Sequence, residues 1–167
     1  MCSSDLLVET ETDRRVLAFR EKPTEPIPGD VNAGTYVLDP AALGAWRAGE
    51  AASIEREIFP GLIADGSPVY GFPSSAYWLD LGTPAQYLRA HADILDGRVS
   101  THAPGESSRV DATASVDGSA RLGPHAVVGP GASIAADADV DGSVLLAGAS
   151  VGAGARIRAS ILGPRAS

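Results

Sequence analysis

The side chains of this sequence that could do chemistry fall in a few short stretches. Asp80 is a single carboxylate set among the apolar Trp78, Leu79 and Leu81, with Gly82, Thr83 and Pro84 following at once. Glycine turns the chain cheaply, threonine accepts a helix-start N–H, and proline suits the first helical position. The order reads strand, turn, capped helix, with Asp80 at the carboxyl end of the strand, where open α/β sheets bind ligands. A lone Asp beside a turn also has a plainer use, as a cap for that turn. Glu21-Lys22 sets an acceptor-only carboxylate beside a compact ammonium. Taken alone, that is a solvated surface pair. Asn32-Ala33-Gly34 holds two residues that tolerate left-handed backbone, which by itself describes a turn. Glu55, just inside a helix start, complements the positive end of the helix dipole.

Short elements must position these groups. Leu7–Val8 and Val16–Phe19 flank a polar link and read as a hairpin, and Pro23, Pro26 and Pro28 keep the following stretch loop-like. Thr35–Leu38 reads as a strand, and Asp39-Pro40 as the start of a helix running through Ala48. Ser53 caps a second helix in which Ile54, Ile58 and Leu62 form an apolar stripe, a core signature. Gly66 ends it, Pro68–Phe72 reads as a short strand, and Pro84–Leu95 as a helix closed by Gly97. On that last helix Tyr87, Leu88, Ala92 and Leu95 can line one face.

After Gly97 the pattern changes. An apolar residue returns at every sixth position: Val110, Val116, Leu122, Val128, Ile134 and Val140. The series slips by one and continues at Leu145, Val151 and Ile157, and Ala114, Ala120, Ala126, Ala132, Ala138, Ala149 and Ala155 sit four places after most of these. A period of six is the signature of a hexapeptide β-helix, with the large residue inward and a small one where the backbone bends. Nine such hexads make three triangular coils.

With 167 residues there is room for one modest domain or two small ones. The net charge of −8 argues against a nucleic-acid surface and offers no basic stripe for anionic lipid. It leaves open a ligand that needs one or two local cations. A single cysteine, Cys2, excludes an internal disulfide framework and fits a reducing compartment. No apolar run reaches the length of a membrane span and no signal-peptide core is visible, so the expectation is a cytoplasmic protein with no membrane partner. Met1–Leu6 has no turn or cap logic leading into the hairpin. These residues are expected to be foreign to the fold, and the chain, which also stops without a polar cap on its repeats, to be a piece of a longer protein.

Phe19-Arg-Glu-Lys-Pro23, Val31-Asn-Ala-Gly-Thr-Tyr36 and Tyr77-Trp-Leu-Asp-Leu-Gly-Thr-Pro84 together resemble the sugar-phosphate nucleotidyltransferases, and Ser53–Pro60 is similar to a further segment of that family. With the hexad repeat, the resemblance is to bacterial mannose-1-phosphate guanylyltransferases with a C-terminal hexapeptide domain, running from about Val16 to the end. It implies an α/β fold, the C-terminal part of a Rossmann-like nucleotidyltransferase domain, over residues 1–97. A linker would follow over 98–109, then an all-β left-handed parallel β-helix over 110–167, the hand being that of known hexapeptide-repeat proteins. It also implies synthesis of GDP-mannose and pyrophosphate from GTP and mannose-1-phosphate. In those terms Glu21 accepts from sugar hydroxyls, Lys22 binds the phosphate, Asn32 and Gly34 line the sugar pocket, and Glu55 is a further sugar contact. Asp80 becomes one of two carboxylates on a catalytic Mg²⁺, with Asp80 and Lys22 the catalytic pair.

The departures are large. The family's glycine-rich nucleotide loop and its other metal-binding Asp have no counterpart in this sequence, so the chain alone is expected to be an inactive fragment. Glucose-1-phosphate enzymes share the same frame. A hexapeptide-repeat acyltransferase would instead use His102 or His125 as base, although His102 lies in the linker and His125 at an ordinary turn. The repeat domain also suits a non-catalytic role in effector binding or homo-oligomer formation.

Overall fold

The expected hairpin forms first. Strands β1 (Leu6–Thr10) and β2 (Val16–Glu21) run antiparallel, with Leu7 opposite Arg20 and Val8 opposite Phe19. The computed structural model describes residues 6–21, 28–44, 46, 49, 51–100 and 108–167, so Cys2, Lys22 and His102 lie outside the described residues, as does the side chain of Glu21. The chain divides into two compact units, Met1–Trp78 and Leu79–Ser167. Residues 79–97, which the sequence groups with the first domain, belong by contact to the second unit.

In the first unit β3 (Asp30–Val31) adds to the free edge of β1, giving the antiparallel order β2-β1-β3. Three expected strands change here. Thr35–Leu38 forms no regular element, and Val37 is 100% exposed. The edge of β1 is taken by Asp30–Val31 instead, which leaves that run without a partner. Pro68–Phe72 reduces to one bridge, Arg15 to Tyr70, held by Val16 N–H to Val69 O at 2.8 Å. Trp78–Leu81 forms no strand either, and it takes no place in the sheets of the described residues.

The expected helix after Asp39 begins as a 3₁₀ turn, Pro40–Leu43, capped by Asp39. Ser53 caps the next element as expected, accepting from Arg56 N–H at 3.2 Å while Glu57 accepts from Ser53 N–H at 2.9 Å. That element opens as a wide π turn, Ile54–Ile58, before tightening into α1 (Phe59–Ala64). Pro60 explains the width: it donates no N–H, and its ring would clash with the carbonyl four residues back. Within the apolar stripe Leu62 is buried and Ile54 and Ile58 are half-buried. Phe59, off the stripe, is the better anchor, stacked on Phe19 at 5.1 Å and edge-on to Tyr36 at 4.9 Å.

The second unit holds α2 (Pro84–Leu95) and the repeats. Thr83 accepts from Gln86 N–H at 3.2 Å and donates to Gln86 Oε1 at 2.8 Å, a reciprocal N-cap. At the other end Gly97, at φ +71°, donates to Ile94 O, and Arg98 N–H reaches back to Asp93 O at 2.9 Å. Those two bonds close the helix in a Schellman motif, which needs a residue that accepts left-handed backbone.

Ten short strands follow, β4 (Arg109–Val110), β5 (Ser115–Val116), β6 (Arg121–Leu122), β7 (Val127–Val128), β8 (Ser133–Ile134), β9 (Asp139–Asp141), β10 (Val144–Leu145), β11 (Ser150–Val151), β12 (Arg156–Arg158) and β13 (Ile161–Leu162). All pair in parallel, in three sheets ordered β13-β10-β7-β4, β11-β8-β5 and β12-β9-β6. This is a β-solenoid of about three coils. Val128, Ile134, Val140, Leu145 and Val151 are buried along its axis with Ala126, Ala132, Ala138 and Ala149, as the hexad reading requires. The slip has a structural meaning too. Val110 pairs with Val128, eighteen residues on, whereas Val128 pairs with Leu145, seventeen on. One residue is dropped at Asp141-Gly142-Ser143, where buried Ser143 donates to Asp141 O and accepts from Ser160 N–H.

The residue preceding each inward one faces out and gives each sheet its character. One face carries Ser115, Ser133 and Ser150, and another Arg121, Asp139 and Arg156. The third is apolar after Arg109: Val127, Val144 and Ile161.

Candidate functional site

Within the first unit the sheet gathers the residues flagged by the motifs. Leu6, at the start of β1, lies opposite Glu21 on one side, and on the other its carbonyl accepts the Asn32 N–H at 2.8 Å. Two strand spacings put Glu21 and Asn32 about 10 Å apart across the same end of one sheet. Lys22, which follows Glu21, lies outside the described residues.

Asn32 is the hub. Its Nδ2 lies 2.7 Å from Tyr36 Oη and 2.7 Å from Glu55 Oε1, and its Oδ1 accepts from Gly34 N–H at 3.1 Å. Both carboxamide donors and one acceptor position are thus engaged, which orients the group without ambiguity. Gly34 closes the turn at φ +71°, and a Cβ there would meet nothing within 4 Å, so the space beside it is open. Glu55 is brought to Asn32 by the capped π turn, while Glu57 serves the cap. The helix-end role is therefore carried by Glu57, and Glu55 is part of the cluster. Tyr36 is the residue that sequence reasoning missed. Its signal was its place at the end of the Val31–Tyr36 motif, four residues after Asn32, in a stretch assigned to a strand. Asn32, Tyr36 and Glu55 are all half-buried. A carboxylate oxygen, a phenol that can still donate and the second lone pair of the Asn32 carbonyl suit a ligand rich in hydroxyl groups.

Asp80 belongs to the second unit. It is half-buried and sits three residues before the Thr83 cap, in backbone that is not a strand. Its carboxylate is hard-oxygen chemistry suited to a divalent cation that takes its other ligands from phosphates and water. Among the described residues no group of three or more His, Cys, Asp or Glu side chains could hold a metal by itself.

The second unit also contains charged groups that no motif announced. Asp93 is 2% exposed and bonds Arg98 at 2.8 Å, with Arg89 at 3.5 Å. Arg98 also reaches Asp96 at 3.2 Å, and Asp96 Oδ1 lies 2.7 Å from His125 Nε2. His125, weighed as an acyl-transfer base, is thus tied to the end of α2. His91, edge-on to Tyr87 at 4.6 Å, is held below the ordinary imidazole pKa by burial.

Residues 7–97 match the sequence model described as nucleotidyl transferase, and residues 105–167 match one described as the GMPPB C-terminal domain. The mannose-1-phosphate guanylyltransferase of Mycobacterium tuberculosis is 41% identical over 91 residues, covering 54% of this chain and 25% of the relative. The mannose-1-phosphate guanylyltransferase catalytic subunit beta of Dictyostelium discoideum is 35% identical over 83 residues, covering 50% of this chain and 23% of the relative. A probable mannose-1-phosphate guanylyltransferase of Oryza sativa is 36% identical over 93 residues, covering 54% and 25%. The chain thus spans about a quarter of the length of these relatives. With more than half of its residues matched by the family's sequence model, and the Asn32 cluster and capped α2 in place, the chain belongs to the nucleotidyl transferase family.

Proposed function

We propose that this chain carries the sugar-phosphate side of a nucleotidyltransferase that makes a nucleotide sugar, with mannose-1-phosphate and GTP as substrates and GDP-mannose and pyrophosphate as products. The observation that carries this reading is the placement of Glu21 and Asn32 on either side of Leu6, at one end of one sheet. Asn32, Tyr36 and Glu55 hold the sugar hydroxyls, Glu21 adds an acceptor, and the open space at Gly34 lets the ring approach the backbone. Lys22 sets an ammonium on the phosphate. Asp80 offers one oxygen to Mg²⁺, whose contribution when bound is to neutralise phosphate charge. The relatives named as guanylyltransferases of mannose-1-phosphate support the choice of sugar and base. By likeness to hexapeptide-repeat proteins, a left-handed solenoid belongs to the same reading.

Turnover needs donors for the triphosphate as well, and this sequence has no glycine-rich phosphate loop before residue 97. Calorimetric titration of the chain with mannose-1-phosphate tests the reading. Measurable binding is expected, weakened about tenfold or more by Lys22→Ala and by Asn32→Ala, each of which removes a hydrogen bond to a polar or charged ligand group. No pyrophosphate is expected from GTP and mannose-1-phosphate. Binding that ignores both substitutions would remove the cluster from the sugar site, and robust pyrophosphate release would show a nucleotide site elsewhere in the chain.

A further inference from the structure

The geometry points to the solenoid as the template that positions the segment carrying Asp80, acting through Leu146 and Ile161 near the start of α2 and through His125 at its end. The functional weight of this rests on the metal-ligand reading of Asp80, whereas the contact itself does not.

Of the three solenoid faces only one is apolar, and a free solenoid has no use for such a face in water. Val144 points outward on it, yet is only 2% exposed. The segment that begins at Leu81 faces this side of the solenoid across a shared groove. Leu81, Gly82, Thr83, Pro84 and Tyr87 share with Leu146 and Ile161 the lining of one apolar groove of about 380 Å³. Asp80 is bonded directly to Leu81, so holding that residue and the first turn of α2 leaves the carboxylate little freedom.

The far end of α2 is tied by different chemistry. His125 occupies a left-handed turn, φ +58°, which few residues other than glycine adopt. From there its Nε2 meets Asp96 at 2.7 Å. Asp96 is bridged by Arg98 to Asp93, the buried carboxylate of α2. A helix of twelve residues is marginal by itself. Pinned at both ends on a rigid solenoid, it becomes a fixed mount. His125, Leu146 and Ile161 are positioning residues in this scheme, with no contact to substrate.

Amide hydrogen exchange on the whole chain tests it. Ile161→Asp and Leu146→Asp each place a charge in the groove and should speed exchange across residues 84–95 by about tenfold or more, with Val128, Ile134 and Val140 still protected. Ile161→Val should stay near wild type. His125→Ala should speed exchange in the last turn of α2, and His125→Gln, whose amide can donate to Asp96, should restore it. That rescue separates a specific tie from general loss of stability. Should Ile161→Asp unfold the solenoid, Ile161→Ser, which removes the contact without a charge, is read in its place. Wild-type exchange in α2 for both groove variants, or equal exchange for His125→Ala and His125→Gln, would overturn the proposal. Because exchange reads the contact in this chain alone, a failure to bind sugar phosphate would leave it standing.

Discussion

Gly129 and Gly152 occupy the same place in their hexads, immediately after the inward Val128 and Val151, yet a methyl group should act oppositely at the two. A Cβ on Gly129 would lie 2.7 Å from the Leu145 carbonyl oxygen, 3.3 Å from the Leu146 carbonyl carbon and 3.4 Å from the Ala147 nitrogen. All three are backbone atoms of the next coil, and the same Leu145 oxygen accepts the Gly129 N–H at 2.8 Å. No rotamer change relieves that contact. Strand β7 must part from β10, at an overpacking cost of about 1–3 kcal/mol. Neither glycine has positive φ, so alanine also stiffens the unfolded chain and returns about 0.4–1 kcal/mol at both sites. Gly129→Ala should therefore lose about 1–2 kcal/mol, a fall of roughly 4–16 °C in the melting temperature of so small a unit. At Gly152 a Cβ meets nothing within 4 Å, and Gly152→Ala should gain roughly 2–8 °C. Thermal melts by circular dichroism, with exchange at Val128 and Leu145 to confirm which coil is affected, decide the matter. Equal shifts for the two substitutions would refute the coil-to-coil spacing described here.

Two further outcomes follow from α2. Thr83→Ala removes both halves of the reciprocal cap and should cost about 1 kcal/mol, read as faster exchange in the first turn, with Thr83→Asp close to wild type. His91 has a folded pKa below that of the unfolded chain because burial disfavours its charge. As pH falls below about 6.5 the unfolded state takes up the proton first, so stability falls with it. The sign is that of a buried neutral base: full stability above the unfolded pKa and progressive loss beneath it. Denaturation midpoints at pH 7.5 and 5.5 should differ in the parent and converge in His91→Phe, and a parent difference undiminished by that substitution would remove His91 from the effect.

The solenoid was legible in the residues alone. Its contacts run between neighbouring coils, so a period of six in Val, Leu and Ile, with alanine four places on, states both what points inward and where the chain bends. Helix caps were legible for a related reason. Ser53, Thr83 and Gly97 act within a few residues of themselves, and each does what its type foretold. The hairpin was found because its two strands are adjacent in sequence.

What depended on distant partners was not legible. Thr35–Leu38, Pro68–Phe72 and Trp78–Leu81 all have the composition of strands, but a strand exists only where another backbone supplies a continuous ladder, and among the described residues Pro68–Phe72 gets no further than one bridge and the other two join no sheet. Asp30–Val31, a two-residue run that opens with an aspartate depleted in strands, pairs because β1 offers it an edge. The motifs named Asn32, Gly34 and Asp80, yet only the tertiary fold joined Asn32 to Glu55 and Tyr36 and left Glu57 to cap the helix. Side-chain type announces what a residue can bind. Which of its groups are already engaged is settled by neighbours far along the chain: Asn32 and Glu55 stand 23 positions apart, and their bond is 2.7 Å long.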